Sequence, residues 1–420
     1  MAYYWLTGEE LNAIVPAATA PVMTPTADFL YGASQLYDGK PYLAGKFGSV
    51  LVDSTVTVDL NVVPWPGFES GVAPAVTSYA TAWAVADGLT SITRDTGIKN
   101  SGAASLKLTG VGSAFFDVLV RPGQLRNLEW AIYGAGSGSI LFRVFNMHTG
   151  RYLHSDGTWG AAADLDTQTT AAWKTGSRQY QVESLETCGA PLVWVRAFFF
   201  SSVSPAYVDD VYDYPAIDFA GAFGTQNWDP VLAPQLRSST DNFSSSDVLQ
   251  SALTFAKPVV SARLVAPVYH RYWRLKLLGT PRVAPGLGEL VLGRAEALLR
   301  PPNLGPRVAW REAGQIRRGA ISGATRARNM GPWPTREAQM SWRFESQAQF
   351  RQFRDEIFRG SRGGAIPMIM FATDAETTKG LDYALFGMLS ETFAGRRLEM
   401  EEECWDVDLE LEEQPFPNLG

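Results

Sequence analysis

Only two cysteines, Cys188 and Cys404, occur in 420 residues, and they lie far apart. No disulfide framework can be drawn between them, so folding is expected not to depend on an oxidising compartment. The three histidines, His148, His154 and His270, have no cysteine or second histidine at ligand spacing, which argues against a structural zinc site. Charged residues make up 19% of the chain and the net charge is −7, which argues against bulk nucleic-acid binding. No run approaches the ~20 apolar residues that span a bilayer. The segment Met1–Glu10 lacks the basic and apolar regions of a secretion signal, so the expectation is a chain made in a cytoplasm and not inserted in a membrane. No phosphate loop, nucleophile elbow or dinucleotide fingerprint is found, and no catalytic residue is expected. Acidic pairs do exist, and a glycosidase needs only two carboxylates about 5–10 Å apart.

What is present is apolar and rich in turns: 46% hydrophobic residues, 12% aromatic, 39 Gly and 25 Pro. A chain of this length is expected to divide into two to four domains. Short apolar runs broken by Gly and Pro favour β-sandwiches, so the fold class is expected to be mainly β. Ser54–Leu60 alternates with period two. Further β-rich runs are Ala104–Leu108, Ala114–Val120, Ser139–Phe145 and Leu192–Phe198. Trp194, flanked by Val193 and Val195, is expected in the core.

Three short pieces occur in order: Pro66-Gly67-Phe68-Glu69, then Asn100-Ser101-Gly102-Ala103-Ala104-Ser105-Leu106-Lys107-Leu108, then Tyr207-Val208-Asp209-Asp210-Val211. Together they resemble the galactose-binding-like jelly rolls that bind carbohydrate in xylanases and other glycan-active proteins. The segment Ala33–Gly39 with the strand Ser54–Leu60, and the later Tyr269–Leu277 and Gly288–Gly293, resemble the early and late parts of a discoidin-like domain. That resemblance implies that the Tyr272-Trp273-Arg274 strand and the glutamate-led strand after it are neighbours. It also implies Trp273 inside and Arg274 on the surface or paired. The expected organisation is a discontinuous discoidin-like sandwich over 1–64 and 216–300, an inserted jelly roll over 65–215, and a C-terminal α+β domain over 301–420. Insertions of this kind succeed at exposed loop tips whose ends lie close together.

Beyond residue 300 the sequence becomes arginine-rich, with Arg307, Arg311, Arg317, Arg318, Arg326, Arg328, Arg336 and Arg343. Ser346-Gln347-Ala348-Gln349 is a capping box, followed by Phe350, Phe353, Ile357 and Phe358 on one helical face and closed by Gly360. Strands around Ile366–Phe371 and Cys404–Leu411 complete a β-helix-β order. Its layout resembles the C-terminal part of small tail proteins of long-tailed bacteriophages. The basic stretch at 307–362 and the acidic residues Glu399, Glu401, Glu402, Glu403, Asp406, Asp408 and Glu410 read either as solvated faces or as complementary patches for assembly into a ring.

In the carbohydrate-binding relatives a glutamate near the start of the module and an aspartate near its end hold a structural Ca2+. Carried over by motif, the ligands are Glu69 and Asp209 or Asp210. The alternative is a pair of strand-end carboxylates bonded to backbone amides. Sugar binding needs a flat aromatic face beside polar groups. The loop-placed candidates are Trp83, Tyr152, Trp159 and Trp173, with His154 and Asp156, each weighed against ordinary packing.

The resemblances imply a virion protein: a tail-tip or baseplate component that is not an enzyme and oligomerises. Its partners would be other tail proteins (tube, hub and neighbouring copies) and a host-surface glycan. A secreted glycan-binding accessory protein and a glycan depolymerase are the alternatives.

Overall fold

Strict alternation of buried and half-buried residues along Ser54–Asp59, Ile140–Asn146, Val193–Ser201 and Tyr272–Leu278 is the local cause of the architecture. Side chains of a strand point to opposite faces in turn, so each such strand buries one side against a second layer. In the computed structural model the described residues are mostly antiparallel β-sheet with two helices, the longer at Gln347–Arg354. The structure describes residues 91–223 and 233–297 with gaps of one or two residues. It also describes 2–7, 22–25, 45–46, 53–63, 83–86 and 88–89, and shorter stretches between 302 and 413. The expected turn at 33–39 and the motif Pro66–Glu69 lie outside the described residues.

Two compact units are present, one containing Leu60–Ala216 and the other Val22–Asp59 with Ile217–Gly420. The first is a two-layer sandwich. One layer contains the strands Ala84–Ala86, Gly112–Val120, Val193–Ser201, Ile140–Asn146, Arg151–Leu153 and Trp159–Gly160 in that spatial order, with Asp166–Gln168 also on Ile140–Asn146. The other contains Ser91–Asp95, Ser105–Thr109, Ala206–Pro215, Leu125–Tyr133 and Trp173–Gln181. From Gly112 to Pro215 the long strands fall alternately in the two sheets, which is jelly-roll wiring. The inner faces share one core, including Phe116, Trp130, Phe142, Val195 and Phe199. Phe142 and Phe199 stack at 4.4 Å.

The ends of this unit are tied together. Val62 donates to the Asp213 carbonyl (3.0 Å), and the Asp213 amide donates to Asn61 Oδ1 (3.0 Å). Asp213 is buried and accepts from Arg126 Nε at 2.9 Å. Burial pushes its carboxyl upward while Arg126 pulls the other way.

The second unit holds a five-stranded sheet in which Tyr272–Leu278 lies between Ser54–Asp59 and Ala233–Ser239. Trp273 is fully buried. Arg274 bonds Thr57 Oγ1 at 3.0 Å and stacks over Phe243. Glu289–Gly293 pairs instead with Ile217–Phe223, in a separate four-stranded sheet. The two strands expected as neighbours therefore belong to different sheets. An eight-stranded sheet follows, and it takes in Ala2–Thr7, paired with Met368–Thr373. The N-terminal strand thus belongs with the C-terminal sheet, not with the sandwich to which its position in the sequence assigned it.

Helix Gln347–Arg354 starts as its capping box requires, with Gln349 N donating to Ser346 Oγ at 3.2 Å. It buries Phe350, Phe353 and the following Ile357. Phe353 meets Trp342 and Phe344 at 4.8 Å. Phe358 lies outside the described residues. The basic and acidic stretches meet in this sheet. Thr335–Phe344 pairs with Trp405–Glu413, buried Arg336 bonds buried Glu413, and Arg343 bonds Asp406 at 3.1 Å. Part of the expected intermolecular complementarity is therefore satisfied within one chain. No helix among the described residues is long and apolar enough to cross a membrane.

Candidate functional site

The outward face of the five-stranded sheet in the jelly roll collects aromatic and polar side chains by register alone. Trp173 stands opposite Tyr133, Tyr133 opposite Tyr207, and Tyr207 opposite Lys107. Ring centroids are 5.5 Å apart for Trp173 and Tyr133, and 5.7 Å for Tyr133 and Tyr207. The next rows carry Thr175, Ala131 and Asp209, then Ser177, Glu129 and Tyr212. A depression of about 390 Å³ is lined by Glu129, Trp130, Thr175, Gly176, Ser177, Asp210 and Tyr212. Gly176 lies on the inner side of its strand, where a Cβ would be 2.4 Å from the ring of the core residue Trp130. Trp130 is held by its Nε1–H bond to Asp166 Oδ2 (2.8 Å).

One corner of the groove is set by a β-bulge. Strand Ala206–Pro215 spends one extra residue between Asp209 and Tyr212, and Asp210 takes φ 47°. The turn at Asn100 closes on it. Asp209 Oδ2 accepts from the amides of Asn100 (2.8 Å) and Ser101 (3.3 Å), and Oδ1 from the amide of Asp210 (2.9 Å). Asp210 accepts from Asn100 Nδ2 (2.8 Å), Ser101 Oγ (2.7 Å) and Tyr212 OH (3.0 Å). Burial, reinforced by the Asp210 carboxylate, raises Asp209 to about 6 against the pull of the three amides. Glu129 Oε1 accepts from Asn127 Nδ2 at 2.9 Å and from Tyr214 OH at 2.5 Å.

These contacts bear on the metal expectation. The donors around Asp209 are backbone amides, whereas Asp210 is held by side chains whose own oxygens suit a hard cation. Among the described residues no group of three His, Cys, Asp or Glu can hold a metal ion. Glu69 is outside them.

Of the six expected sugar contacts, only Trp173 reaches this groove. Trp83 is fully buried against Phe116 (4.9 Å) and Phe199 (5.6 Å), a core residue with no face to offer a ligand. His154 bonds the Ala161 carbonyl at 3.0 Å, and Asp156 closes its own turn by accepting from Thr158 N and Oγ1. Trp159 donates to the Gln181 carbonyl at 2.7 Å and packs on Tyr180, so the hairpin that carries these three fastens one sheet to the other.

Tyr152 lies on the opposite side of the module. There, Phe145 and Tyr152 meet at 4.9 Å, and Tyr152 and Phe198 at 6.2 Å. Trp194 shares that outward face. It is half-buried, because period two sends it away from the core that Val193 and Val195 enter. The charges on this side are spent locally: Arg196 holds Asp117 through two bonds (2.8 and 2.9 Å), and Arg143 bonds Asp164.

Sequence reading missed Tyr133, Tyr207, Tyr212, Glu129, Thr175 and Ser177. Tyr207 lies inside the motif Tyr207-Val208-Asp209-Asp210-Val211. The others follow only from knowing that Trp173–Gln181 and Leu125–Tyr133 are paired strands.

No family model matches the sequence, and no curated protein matches it. Among solved structures, the CBM22-1 xylan-binding domain of Xyn10C from Paenibacillus barcinonensis is similar over 36% of this chain and 91% of its own, with 15% identity and a TM-score of 0.25. TmCBM61, solved in complex with β-1,4-galactotriose, is similar over 37% of this chain and 98% of its own, with 15% identity and a TM-score of 0.24. The enzymatically active domain of tailspike protein 4 of bacteriophage CBA120 is similar over 37% of this chain and 21% of its own, with 15% identity and a TM-score of 0.25.

Proposed function

We propose that the jelly roll is a glycan-binding module whose ligand lies along the outer groove of the five-stranded sheet. The observation that carries this is the row Trp173, Tyr133 and Tyr207 beside a depression edged with the hydroxyls and carboxylates of Thr175, Ser177, Tyr212, Glu129 and Asp210. The aromatic rings would take the apolar face of a sugar, and the oxygens would accept from its hydroxyls. Calorimetry against a panel of neutral oligosaccharides tests it. Binding that Trp173→Ala weakens about tenfold, roughly 1.4 kcal/mol, supports the reading. Absence of binding to every glycan in the panel removes it.

Glu129 and Asp210 lining one depression favour a second reading, glycan cleavage by two carboxylates. We take the groove as non-catalytic. Release of reducing ends from a bound oligosaccharide, lost in Glu129→Gln, would reverse that choice.

At the level of the whole chain, our proposal is a structural component of a phage tail tip or baseplate that presents this module to a host-surface glycan. Its supports are the separation of a groove-bearing unit from a second β-rich unit, and the resemblance of the latter's strand–helix–strand order to small tail proteins. Immunogold labelling of particles with antibody against residues 66–214 tests it. Label at the tail tip is expected, and particles free of label would leave an accessory glycan-binding protein instead. A structural Ca2+ at Glu69 with Asp209 or Asp210 completes the proposal, anchoring the bulge corner beside the groove.

A further inference from the structure

Twice among the described residues a carboxylate and an aromatic ring share one arginine. Arg196 holds Asp117 through two bonds (2.8 and 2.9 Å) and lies over the Phe115 ring at 4.0 Å. Arg271 holds Asp59 through two bonds (2.8 and 2.6 Å) and lies over the Tyr272 ring at 4.5 Å. A cation in such a position gains from both partners, because the face of an aromatic ring is negative and a bond to a carboxylate is charge-assisted.

The groove of the five-stranded sheet brings together rings and carboxylates without an arginine. Trp173, Tyr133 and Tyr207 stand in a row beside the depression that Glu129 and Asp210 line. Every described group bonded to these two carboxylates is neutral. Glu129 Oε1 accepts from Asn127 Nδ2 and Tyr214 OH, and Asp210 accepts from Asn100 Nδ2, Ser101 Oγ and Tyr212 OH. The cations of the surrounding strands are engaged or turned away. Lys107 pairs with Asp95 at 3.8 Å, Lys174 pairs with Asp166, and Arg126 pairs with Asp213 at 2.9 Å. Arg178 stands opposite the core residue Leu128, on the inner side of its strand. Lys99 is exposed in the turn that closes on Asp210, and among the described residues it forms an ion pair with neither carboxylate.

We infer, resting on the reading of this groove as a glycan site, that its preferred ligands are glycans with free amino sugars. The ammonium group sits between the aromatic row and the carboxylates of Glu129 and Asp210, in the role that arginine has beside Asp117 and Asp59. Neutral sugars stack on the same rings but lack the charge-assisted bonds. Uronic and sulfated sugars are disfavoured, because they bring an anion against two carboxylates in a chain whose net charge is −7.

The test is calorimetry of the whole chain, in chelator, against oligosaccharides of one β-1,4-linked glucose backbone that differ only in substituent: hydroxyl, N-acetyl, protonated amine and carboxylate. The amine is expected to bind about tenfold tighter than the two neutral forms and the carboxylate about tenfold weaker. Raising the salt should shrink the amine preference in the unaltered protein, a readout that needs no substitution. Glu129→Gln with Asp210→Asn should bring the ratio of amine to neutral affinity close to one. Asp164→Asn with Glu186→Gln, which removes two carboxylates outside the depression, should leave that ratio as it is. A ratio that falls equally in both double variants reports the net charge of the chain and overturns the inference. Neutral forms that bind as tightly as the amine overturn it too, while the groove stands as a glycan site. Binding of none of the four removes the groove and the amine preference together.

Discussion

The two outward faces of the jelly roll are built from similar residues and are disposed differently. On the seven-stranded side Phe145, Tyr152, Trp194 and Phe198 form a broad aromatic surface, and its guanidiniums are held by Asp117 and Asp164. On the five-stranded side three aromatic rings stand in a row, and a depression beside them presents oxygens together. A sugar needs stacking and hydrogen bonding at once, so aromatic density is a poor guide to a glycan site. What distinguishes the groove is the Asp210 bulge, which brings a carboxylate into its lining beside Glu129 and the hydroxyls.

The largest expected effect on the groove side is at Gly176, where the groove wall closes on the core. Gly176→Val drives side-chain atoms into the Trp130 ring on the core side of the groove wall and should cost about 1–3 kcal/mol of stability, read by thermal melting. Next in size is the pair Trp173→Ala and Trp194→Ala. The first should weaken glycan binding about tenfold while the second leaves it unchanged, although both remove a half-exposed tryptophan. Equal losses would erase the distinction between the faces.

A smaller effect comes from Asp209. Its folded carboxyl titrates at about 6, above the ordinary 3.8, so the folded state holds its proton more tightly than the unfolded one. Stability should therefore be lost as pH rises from about 4 to about 6 and regained on acidification through that window. Asp209→Asn should flatten this part of the profile in melting curves. The smallest expected change is a rise of a few degrees in melting temperature with calcium over chelator. Glu69→Ala or Asp210→Ala should abolish it, and identical melting of the unaltered protein in both conditions would remove the metal.

Sequence pattern was sufficient wherever one face of a strand is apolar. Ser54–Asp59 shows the alternation its residues encode, and Ser346 marks the start of helix Gln347–Arg354. It failed where pairing supplies the meaning. Trp173–Gln181 is polar on nearly every position because it is an edge strand, and nothing local marks it as the wall of a groove. Trp83 sits among Ala and Thr, which looks like loop, yet it fills the core between two phenylalanines. Trp194 faces outward, against the expectation of a core residue, because its valine neighbours occupy alternate inward positions and not one apolar run. The pairing of Ala2–Thr7 with Met368–Thr373 spans almost the whole chain and leaves no local trace.

The most direct test of the glycan groove is NMR chemical-shift mapping of the whole chain, with selectively labelled tyrosine and tryptophan, during titration with oligosaccharides. We expect the shifts to concentrate on Tyr133, Trp173, Tyr207 and Tyr212. Shifts centred on Tyr152 and Trp194 would place the ligand on the opposite face and contradict the account.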